Sequence, residues 1–279
     1  MTPRWSQERG TSCKLAQPVG PFVPINGRLD GHTLLRAGLK PGISVIDIGA
    51  NRGGFSSALR AVVPGTYHAV EANPELIPSL EGGLYDSVRH CAVTDGATSA
   101  TLHTAQNDQA SSILSLEESV FDATDAIEVP GRSLDSVLEQ FPGFLDVVKV
   151  DIEGAEIAAL RTLSAETARR IGQMTVEFHC ADVFGFGSDS ERDAADTIAT
   201  LQSRGFLPCV FAPYKMDVLF VNREHFRISD AQAYLWRGFA GSTRAYVAAR
   251  HSLARLIPPA RRKGWGWYQR SRRAHGAHG

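Results

Sequence analysis

The chain has 279 residues, of which 43% are hydrophobic, and its formal net charge is −1 at pH 7. This length allows a sizeable core in one large domain with appendages. The chain contains no run of about 18 uncharged apolar residues, so a membrane span is not predicted. The N-terminus lacks the apolar segment of a signal peptide, and the four cysteines have the spacing of neither a disulfide framework nor a zinc site. We therefore expect a cytoplasmic protein with reduced thiols.

The first predicted elements are those of an α/β domain. Residues 1–33 contain several prolines and little periodicity, which predicts an irregular extension. The stretch HTLLRAGLKPG predicts a short helix that ends at Pro41 and Gly42. The continuous apolar run ISVIDIG is typical of a parallel strand covered on both faces, and apolar residues from Phe55 to Val62 recur at helical spacing.

Strands and helices then alternate along the chain. The segments that predict further strands are TYHAVEA, SVRHCAV, TSATLHTA, LDVVKVDI, QMTVEFH, FLPCVFA and MDVLFVN. This alternation predicts a three-layer α/β sandwich around a mostly parallel sheet. Because only Pro213, Tyr214 and Lys215 separate the last two strands, we expect an antiparallel hairpin at the edge of the sheet. The domain is predicted over residues 34–225. A basic, helical or irregular tail is predicted over 226–279, with a helix indicated from Ala231 to Leu256.

The turn after the first long strand predicts a nucleotide-like ligand. A dinucleotide site requires G-x-G-x-x-G, but the turn here runs from Gly49 to Gly53 with Asn51 in place of the second glycine. Asp47, two residues before the turn, would repel a pyrophosphate and attract a sulfonium. Glu71 ends the next strand, where an acid can accept hydrogen bonds from both ribose hydroxyls. S-adenosylmethionine (SAM) therefore fits better than a nicotinamide dinucleotide, and a plain strand–turn–helix connection is the alternative.

Several segments resemble the FkbM family of class I SAM-dependent methyltransferases. They are IDIGANRGGFS (46–56), SSIL (111–114), VPGRSLDSVL (129–138), LDVVKVDIEGAEIAALRTL (145–163) and VEFH (176–179). The resemblance implies a Rossmann-like class I methyltransferase fold with a seven-strand sheet. It also implies SAM contacts from Asp47, Gly49, Asn51, Gly53 and Glu71, adenine packing on Ala92 and Val93, and a loop contact from Ser112.

A second group of polar residues predicts where the methyl group is transferred. Asp151, Glu153 and His179 follow or end two strands that should be neighbours, so we expect them to converge at the carboxyl ends of those strands. Our hypothesis is that His179 is the general base for a hydroxyl, oriented by Asp151 or Glu177. In the alternatives, His179 only closes its strand with a hydrogen bond, or a divalent cation, Mg or Mn, is held by Asp151, Glu153 and His179.

Two neighbouring residues have simpler interpretations. Lys149 lies on the same face of its strand as Asp151, which predicts a buried ion pair with that residue or another acid. Glu156 lies in the first turn of a helix, where an acid complements the helix dipole. Residues 180–188 are expected to line the acceptor pocket.

The predicted function is SAM-dependent O-methylation of a sugar, a glycolipid or a secondary metabolite. The alternatives are a catalytically silent SAM-binding module and a methyltransferase that acts on nucleic acid. Adenine-N6 chemistry is disfavoured because the chain lacks the required Pro-Pro-aromatic turn. Cytosine-C5 chemistry is disfavoured because Cys209 lies in an apolar strand where a thiol is inert.

The tail differs in charge from the rest of the chain. Residues 1–230 carry 19 basic and 30 acidic side chains, whereas the last 49 residues carry ten basic and no acidic ones. Together with Trp265, Trp267 and Tyr268, this composition fits contact with an anionic membrane surface. Nucleic acid is disfavoured because the acidic body would repel phosphate. A solvated tail without a role and docking onto a second subunit remain open alternatives.

Overall fold

The computed structural model describes residues 20–25, 32–105, 123–179, 189–212 and 217–255, and within these residues the chain forms three sheets. The strands are β1 (Phe22–Pro24), β2 (Thr33–Leu35), β3 (Ile43–Ile48), β4 (Gly65–Glu71), β5 (Ser87–His90), β6 (Ala92–Thr94), β7 (Ser99–Ala105), β8 (Ala123–Ser133), β9 (Leu145–Val150), β10 (Ile171–Glu177), β11 (Phe206–Val210) and β12 (Asp217–Asn222). The helices are α1 (Gly54–Arg60), α2 (Ile77–Leu80), α3 (Leu134–Leu138), α4 (Glu156–Arg161), α5 (Ala165–Arg169), α6 (Asp189–Ser203) and α7 (Asp230–Arg255).

The central sheet has seven strands in the order β11, β12, β10, β9, β3, β4, β5. β3 pairs in parallel with β4 and β9, and β9 pairs in parallel with β10. The carboxyl ends of these four strands therefore meet at one edge of the sheet. β12 runs antiparallel to both β10 and β11. The predicted class I fold, a mostly parallel sheet with an antiparallel hairpin, is confirmed, with β12 lying one strand in from the edge.

Alternate residues of the central strands face different layers. Ile46 and Val148 belong to a buried cluster that includes residues of α3, α4 and α6. Val45 and Val147 belong to a second cluster that includes residues of α1, α7, β1 and β2. This alternation explains why the strands are apolar throughout, since both faces are covered. The predicted three-layer sandwich is therefore confirmed.

The third predicted strand leaves the central sheet halfway along its length. SVRHCAV divides into β5 and β6, and β6 pairs in parallel with β8 in a separate three-stranded sheet. The predicted strand TSATLHTA forms β7 and pairs antiparallel with β8. A period-2 pattern predicts a strand but not the sheet to which it belongs, because the partner lies far away in the chain.

The predicted helix over residues 32–42 is wrong. Residues 33–35 form β2, which pairs antiparallel with β1, and only Arg36–Gly38 form a short 3₁₀ turn. The backbone N–H of Leu35 donates to Oε1 of Gln173 at 2.7 Å, so tertiary pairing overrides the local helical pattern. The predicted domain boundary after residue 33 remains a prediction, although β1 lies inside the segment that was expected to be irregular.

The predicted C-terminal helix is present as α7, which packs against β11. Within the described part of the chain, none of the helices combines the length and apolarity required to cross a membrane.

Candidate active site

The β3–α1 turn is built from residues with left-handed backbone angles. The φ angles are 73° at Gly49, 50° at Asn51 and 74° at Gly53. A Cβ atom at Gly49 would lie 1.8 Å from the carbonyl oxygen of Asp151, and one at Gly53 would lie 2.4 Å from a methyl group of Leu84. Gly49 is therefore required by space as well as by φ, whereas Gly53 is favoured mainly by its φ angle, because the Leu84 side chain is flexible.

Asp47 lies buried beneath the turn, and its predicted contact with SAM remains a prediction. Its carboxylate is fully buried, and Oδ2 accepts hydrogen bonds from Ser56 Oγ and Tyr85 OH, each at 2.7 Å. Nζ of Lys149 lies 3.4 Å from Oδ1. These partners compensate the buried charge, so Asp47 stabilises the shape of the turn.

Glu71 ties the end of β4 to the same turn. Its Oε2 accepts from the backbone N–H of Asn51 and its Oε1 from that of Asn73, both at 2.8 Å. Burial raises the pKa of Glu71, whereas these N–H donors lower it. The two features that predicted a SAM site are thus brought together at one edge of the sheet.

Lys149 connects the turn to the polar residues on the next strand. Its ammonium group donates to the carbonyl oxygen of Gly49 at 2.5 Å and lies 3.3 Å from Oδ2 of Asp151. The predicted buried ion pair is confirmed. Burial lowers the pKa of Lys149, but the carboxylates of Asp151 and Asp47 outweigh it and raise this pKa above its ordinary value. Lys149 is therefore a permanent cation and not a catalytic base.

His179 is oriented by Glu156, which corrects the expectation that Asp151 or Glu177 would do so. Nδ1 of His179 lies 2.9 Å from Oε1 of Glu156, whereas its Nε2 lies 3.9 Å from Oδ1 of Asp151. Oε1 of Glu156 also accepts from the backbone N–H groups of Ile152 and Gly154. Glu156 is thus a fixed carboxylate, and its role goes beyond the helix-dipole effect expected from the sequence.

His32 enters the site from β2, a contribution that the sequence did not predict. Its Nδ1 lies 3.2 Å from Oγ1 of Thr175. Its Nε2 lies 3.5 Å from Oδ2 of Asp151 and 3.9 Å from Oε2 of Glu177. The ring also contacts Phe55 edge-on, with the ring centroids 5.4 Å apart. Asp151 therefore lies between two histidines, one on each side.

The acceptor side of the site has a surplus of carboxyl groups. Burial raises the pKa of Glu153 to about 7 and that of Glu177 to about 8, and the nearby Asp151 carboxylate adds to both shifts. Burial also favours neutral Asp151, but Lys149 and His32 outweigh it and lower the pKa of Asp151. Burial lowers the pKa of His179, whereas Glu156 and Glu153 raise it well above its ordinary value. Several protons are therefore shared at near-neutral pH.

Two overlapping sets of side chains could hold a divalent cation. They are His32, Asp151 and Glu177, and Asp151, Glu156 and His179, with the donor atoms of each set within 4.8 Å of one another. The second set has Glu156 where the sequence analysis placed Glu153. Mixed carboxylate and imidazole ligands suit Mg, Mn or Zn in general.

The remaining predicted residues are buried or lie outside the described part of the chain. Ala92 and Val93 are buried, at 2% and 3% exposure, and their packing against adenine remains a prediction. Ser112 and the predicted pocket segment 180–188 lie outside the described residues.

Glu156 and His32 were not predicted from the sequence to act in this part of the site, for different reasons. Glu156 is the first residue of α4, so its carboxylate could be expected to reach back to N–H groups before the helix. His32 left no signal, because nothing in the local sequence relates it to Asp151, more than 100 residues further along the chain.

Solved structures show only distant likenesses to this chain. Fibrillarin of Aeropyrum pernix, solved with S-adenosyl-L-methionine, is 13% identical over 67% of this chain and 69% of its own, with a TM-score of 0.38. The precorrin-6y C5,15-methyltransferase of Geobacter metallireducens is 11% identical over 66% of this chain and 82% of its own, with a TM-score of 0.33. The magnesium protoporphyrin IX methyltransferase of Synechocystis, solved with bound SAH, is 10% identical over 64% of this chain and 73% of its own, with a TM-score of 0.34. Likenesses at this level assign neither a reaction nor a substrate.

The family comparison is more specific. No curated protein matches the sequence significantly, but the model of the methyltransferase FkbM domain matches residues 47–208, more than half of the chain. The match includes the Gly49 turn, Glu71, Asp151 and the Glu156–His179 pair, whereas His32 and α7 lie outside it. The resemblance seen in the sequence is confirmed, and the chain belongs to the FkbM family of SAM-dependent methyltransferases.

Proposed function

We propose that the protein transfers the methyl group of SAM to a hydroxyl of a sugar, a glycolipid or a secondary metabolite. The observation that carries this proposal is the buried Glu156–His179 pair, at the edge of the sheet where the Gly49 turn approaches Asp151. A hydroxyl must lose its proton as it is methylated. A histidine whose Nδ1–H is held by a carboxylate can accept that proton at Nε2.

The cofactor side of the site fits SAM. Gly49 and Gly53 allow the turn to adopt left-handed backbone angles and to pack closely on Asp151 and Leu84, and Glu71 is anchored beside it. SAM, when bound, supplies a methyl group made electrophilic by its sulfonium, a cation that the Asp151 carboxylate, whose pKa is lowered, would attract. The residues that would hold it are Gly49, Asn51 and Gly53 through their backbone, Glu71 at the ribose hydroxyls, and Ala92, Val93 and Ser112 around the adenosine.

The proton transfer is assigned to His179. Glu156 fixes the tautomer and orientation of the imidazole through Nδ1. Nε2, which lies 3.4 Å from Oε2 of Glu153, is the nitrogen that would take the hydroxyl proton as the C–O bond forms. Glu156 raises the pKa of His179 against the effect of burial, and the imidazole must lose its proton before it can accept one from the hydroxyl. Turnover should therefore rise with pH as His179 loses this proton.

The polarity of the acceptor side supports a polyhydroxylated substrate. The side chains of Asp151 and Glu177 are partly exposed, at 24% and 26%, and both flank His32. Carboxyl groups form hydrogen bonds with hydroxyl groups, whereas an apolar substrate would remove water from their exposed sides without replacing its hydrogen bonds. A sugar or another polyol is therefore the acceptor that this arrangement favours.

The test uses methyl-labelled SAM and cell extract divided into lipid-glycan, small-molecule, RNA and protein fractions. The wild type is compared with His179→Ala and with His90→Ala, a control at an exposed histidine on β5. Each is assayed with Mg and with EDTA, and SAM binding is measured separately. We expect label in the lipid-glycan or small-molecule fraction that His179→Ala loses and His90→Ala retains.

Other outcomes would identify the competing functions. Label in RNA would contradict the proposed acceptor, and SAM binding without label in any fraction would favour a silent binding module. Near-wild-type turnover in His179→Ala would reject His179 as the base. Loss of label with EDTA would assign a cation to one of the two histidine–carboxylate sets.

A further inference from the structure

Helix α7 carries much of the exposed apolar surface of the protein. Among the described residues, five large hydrophobic side chains are exposed, and three of them, Tyr234, Leu235 and Tyr246, lie on α7 with exposures of 80%, 66% and 61%. The opposite side of the helix is packed on the domain, where Trp236 contacts Phe22 with the ring centroids 5.7 Å apart. The outward side therefore presents apolar groups that the fold does not use.

The charge of this region is one-sided. Asp230 begins the helix, but it is paired with Arg223 at 2.7 Å, and no acidic residue follows it in the sequence. Arg237 and Arg244 are exposed and lie seven residues apart, two turns along the same side of the helix. Ten basic residues follow Asp230, whereas residues 1–230 carry 11 more acidic than basic side chains. The molecule thus has a basic end and an acidic body.

We propose that the exposed surface of α7 docks onto an anionic lipid surface, with Arg237 and Arg244 at one flank and Leu235 and Tyr246 at the other. Arginines would contact lipid phosphates, while tyrosine and leucine side chains would enter the headgroup region. The sequence beyond the described helix continues the same composition, with Leu256, Ile257 and aromatic residues among arginines and one lysine. Repulsion between the membrane and the acidic body would orient the molecule with α7 toward the lipid.

This occupant fits the surface better than a second copy of the chain. A stable dimer buries roughly 800 Å² per partner from about 20–30 residues, whereas the α7 side chains that the structure describes include three large exposed hydrophobic ones. A nucleic acid would use the arginines, but phosphate contacts alone leave the exposed leucine without a role. The proposal does not depend on the reaction that the domain catalyses.

The experiment measures flotation of the full-length protein with lipid vesicles. One vesicle contains phosphatidylcholine alone and the other contains about 30% phosphatidylserine, each at low and high salt. We expect binding to the anionic vesicle only, reversed by high salt because the attraction is screened. Arg237→Glu with Arg244→Glu should weaken binding at least tenfold, and Tyr234→Ser with Leu235→Ser should also weaken it.

A matched control changes charge equally at another surface. Lys40→Glu with Arg192→Glu reverses two exposed cations outside α7 and should leave vesicle binding unchanged. Thermal unfolding of every variant confirms that it is folded. The proposal would be overturned by three results: no binding to anionic vesicles, equal binding to both vesicles, or a dimer that Tyr234→Ser with Leu235→Ser dissociates. It would also be overturned if an RNA oligonucleotide bound the basic end and anionic vesicles did not.

Discussion

The two halves of the candidate active site are built in different ways. The cofactor half is a backbone turn whose glycines, N–H groups and buried Asp47 lie within one short segment, with Glu71 nearby in sequence. The acceptor half consists of titratable side chains from three separate segments, represented by His32, Asp151 and His179. The first half depends on shape and the second on shared protons, so substitutions should act on them through different observables.

The largest effect is expected from Gly49→Ala in the cofactor half. The new Cβ would lie 1.8 Å from the carbonyl oxygen of Asp151 at a φ of 73°, so strand β3 and the Asp151 backbone must separate. We expect a loss of roughly 4 kcal/mol or more in the free energy of unfolding, together with loss of SAM binding. Urea denaturation and equilibrium dialysis with SAM measure these two quantities.

Gly42→Ala provides the matched control for this substitution. Gly42 has a φ of 88°, but a Cβ there would meet no atom within 4 Å. Its cost should be limited to the backbone strain of about 1–2 kcal/mol. Equal destabilisation by both substitutions would show that the close approach to Asp151 does not matter.

The next largest effect is expected from Glu156→Gln, which should change the acceptor half without changing the cofactor half. Glu156→Gln keeps the size of the side chain but removes the charge that raises the pKa of His179 against the effect of burial. Since the base must be deprotonated, kcat/KM rises with pH through this pKa, and the substitution should move the rising limb to lower pH. We also expect kcat to fall on the order of 100-fold while the Kd of SAM stays unchanged.

Glu166→Gln is the control for Glu156→Gln, because Glu166 also lies in the first turn of a helix but is exposed. It should leave kcat and its pH profile as in the wild type. An unshifted limb in Glu156→Gln would show that His179 is not the group that titrates during turnover.

A smaller effect is expected from His32→Ala, outside the region of the family match. This substitution removes the imidazole whose Nε2 lies 3.5 Å from Oδ2 of Asp151 and 3.9 Å from Oε2 of Glu177. Loss of one such partly exposed polar contact is worth about 1 kcal/mol, which corresponds to somewhat less than tenfold in rate. We expect kcat to fall by this amount with an unchanged KM for SAM, and His90→Ala to change neither. A higher KM for SAM with normal kcat would place His32 in the cofactor half instead.

The difference between the cofactor half and the acceptor half also explains which features were predictable from the sequence and which were not. The Gly49 turn and Glu71 were predicted because their constraints are local: a left-handed φ requires glycine or asparagine, and a strand end fixes the place of the acid. The parallel order of the strands followed from alternation of strands and helices. Lys149 was predicted to pair with an acid because residues two apart share a face of a strand.

The failures all concern long-range contacts. β2 was predicted as a helix because its pairing with β1 and its contact with Gln173 are invisible in the local pattern. Glu156 was identified as a dipole-complementing acid, since its contact with His179 joins two elements 23 residues apart. His32 was missed for the same reason over a greater distance. Which titratable groups meet in the acceptor half is therefore decided by the fold.

The smallest effect should appear in the pH dependence of stability, and again only in the acceptor half. Burial and the Asp151 carboxylate raise the pKa of Glu177 to about 8 in the folded protein, against about 4.3 in an unfolded chain. Between these values the folded state binds more protons, so the free energy of unfolding falls as pH rises. Glu177→Gln should make the free energy of unfolding decline less steeply between pH 5 and 8. The change in slope should be well below about 1.4 kcal/mol per pH unit, which is the limit for one titrating group. Urea unfolding at several pH values measures the slope, which Glu166→Gln should not change. An unchanged slope in Glu177→Gln would mean that Glu177 is ionised in the folded protein and that the acceptor half shares fewer protons than its geometry indicates.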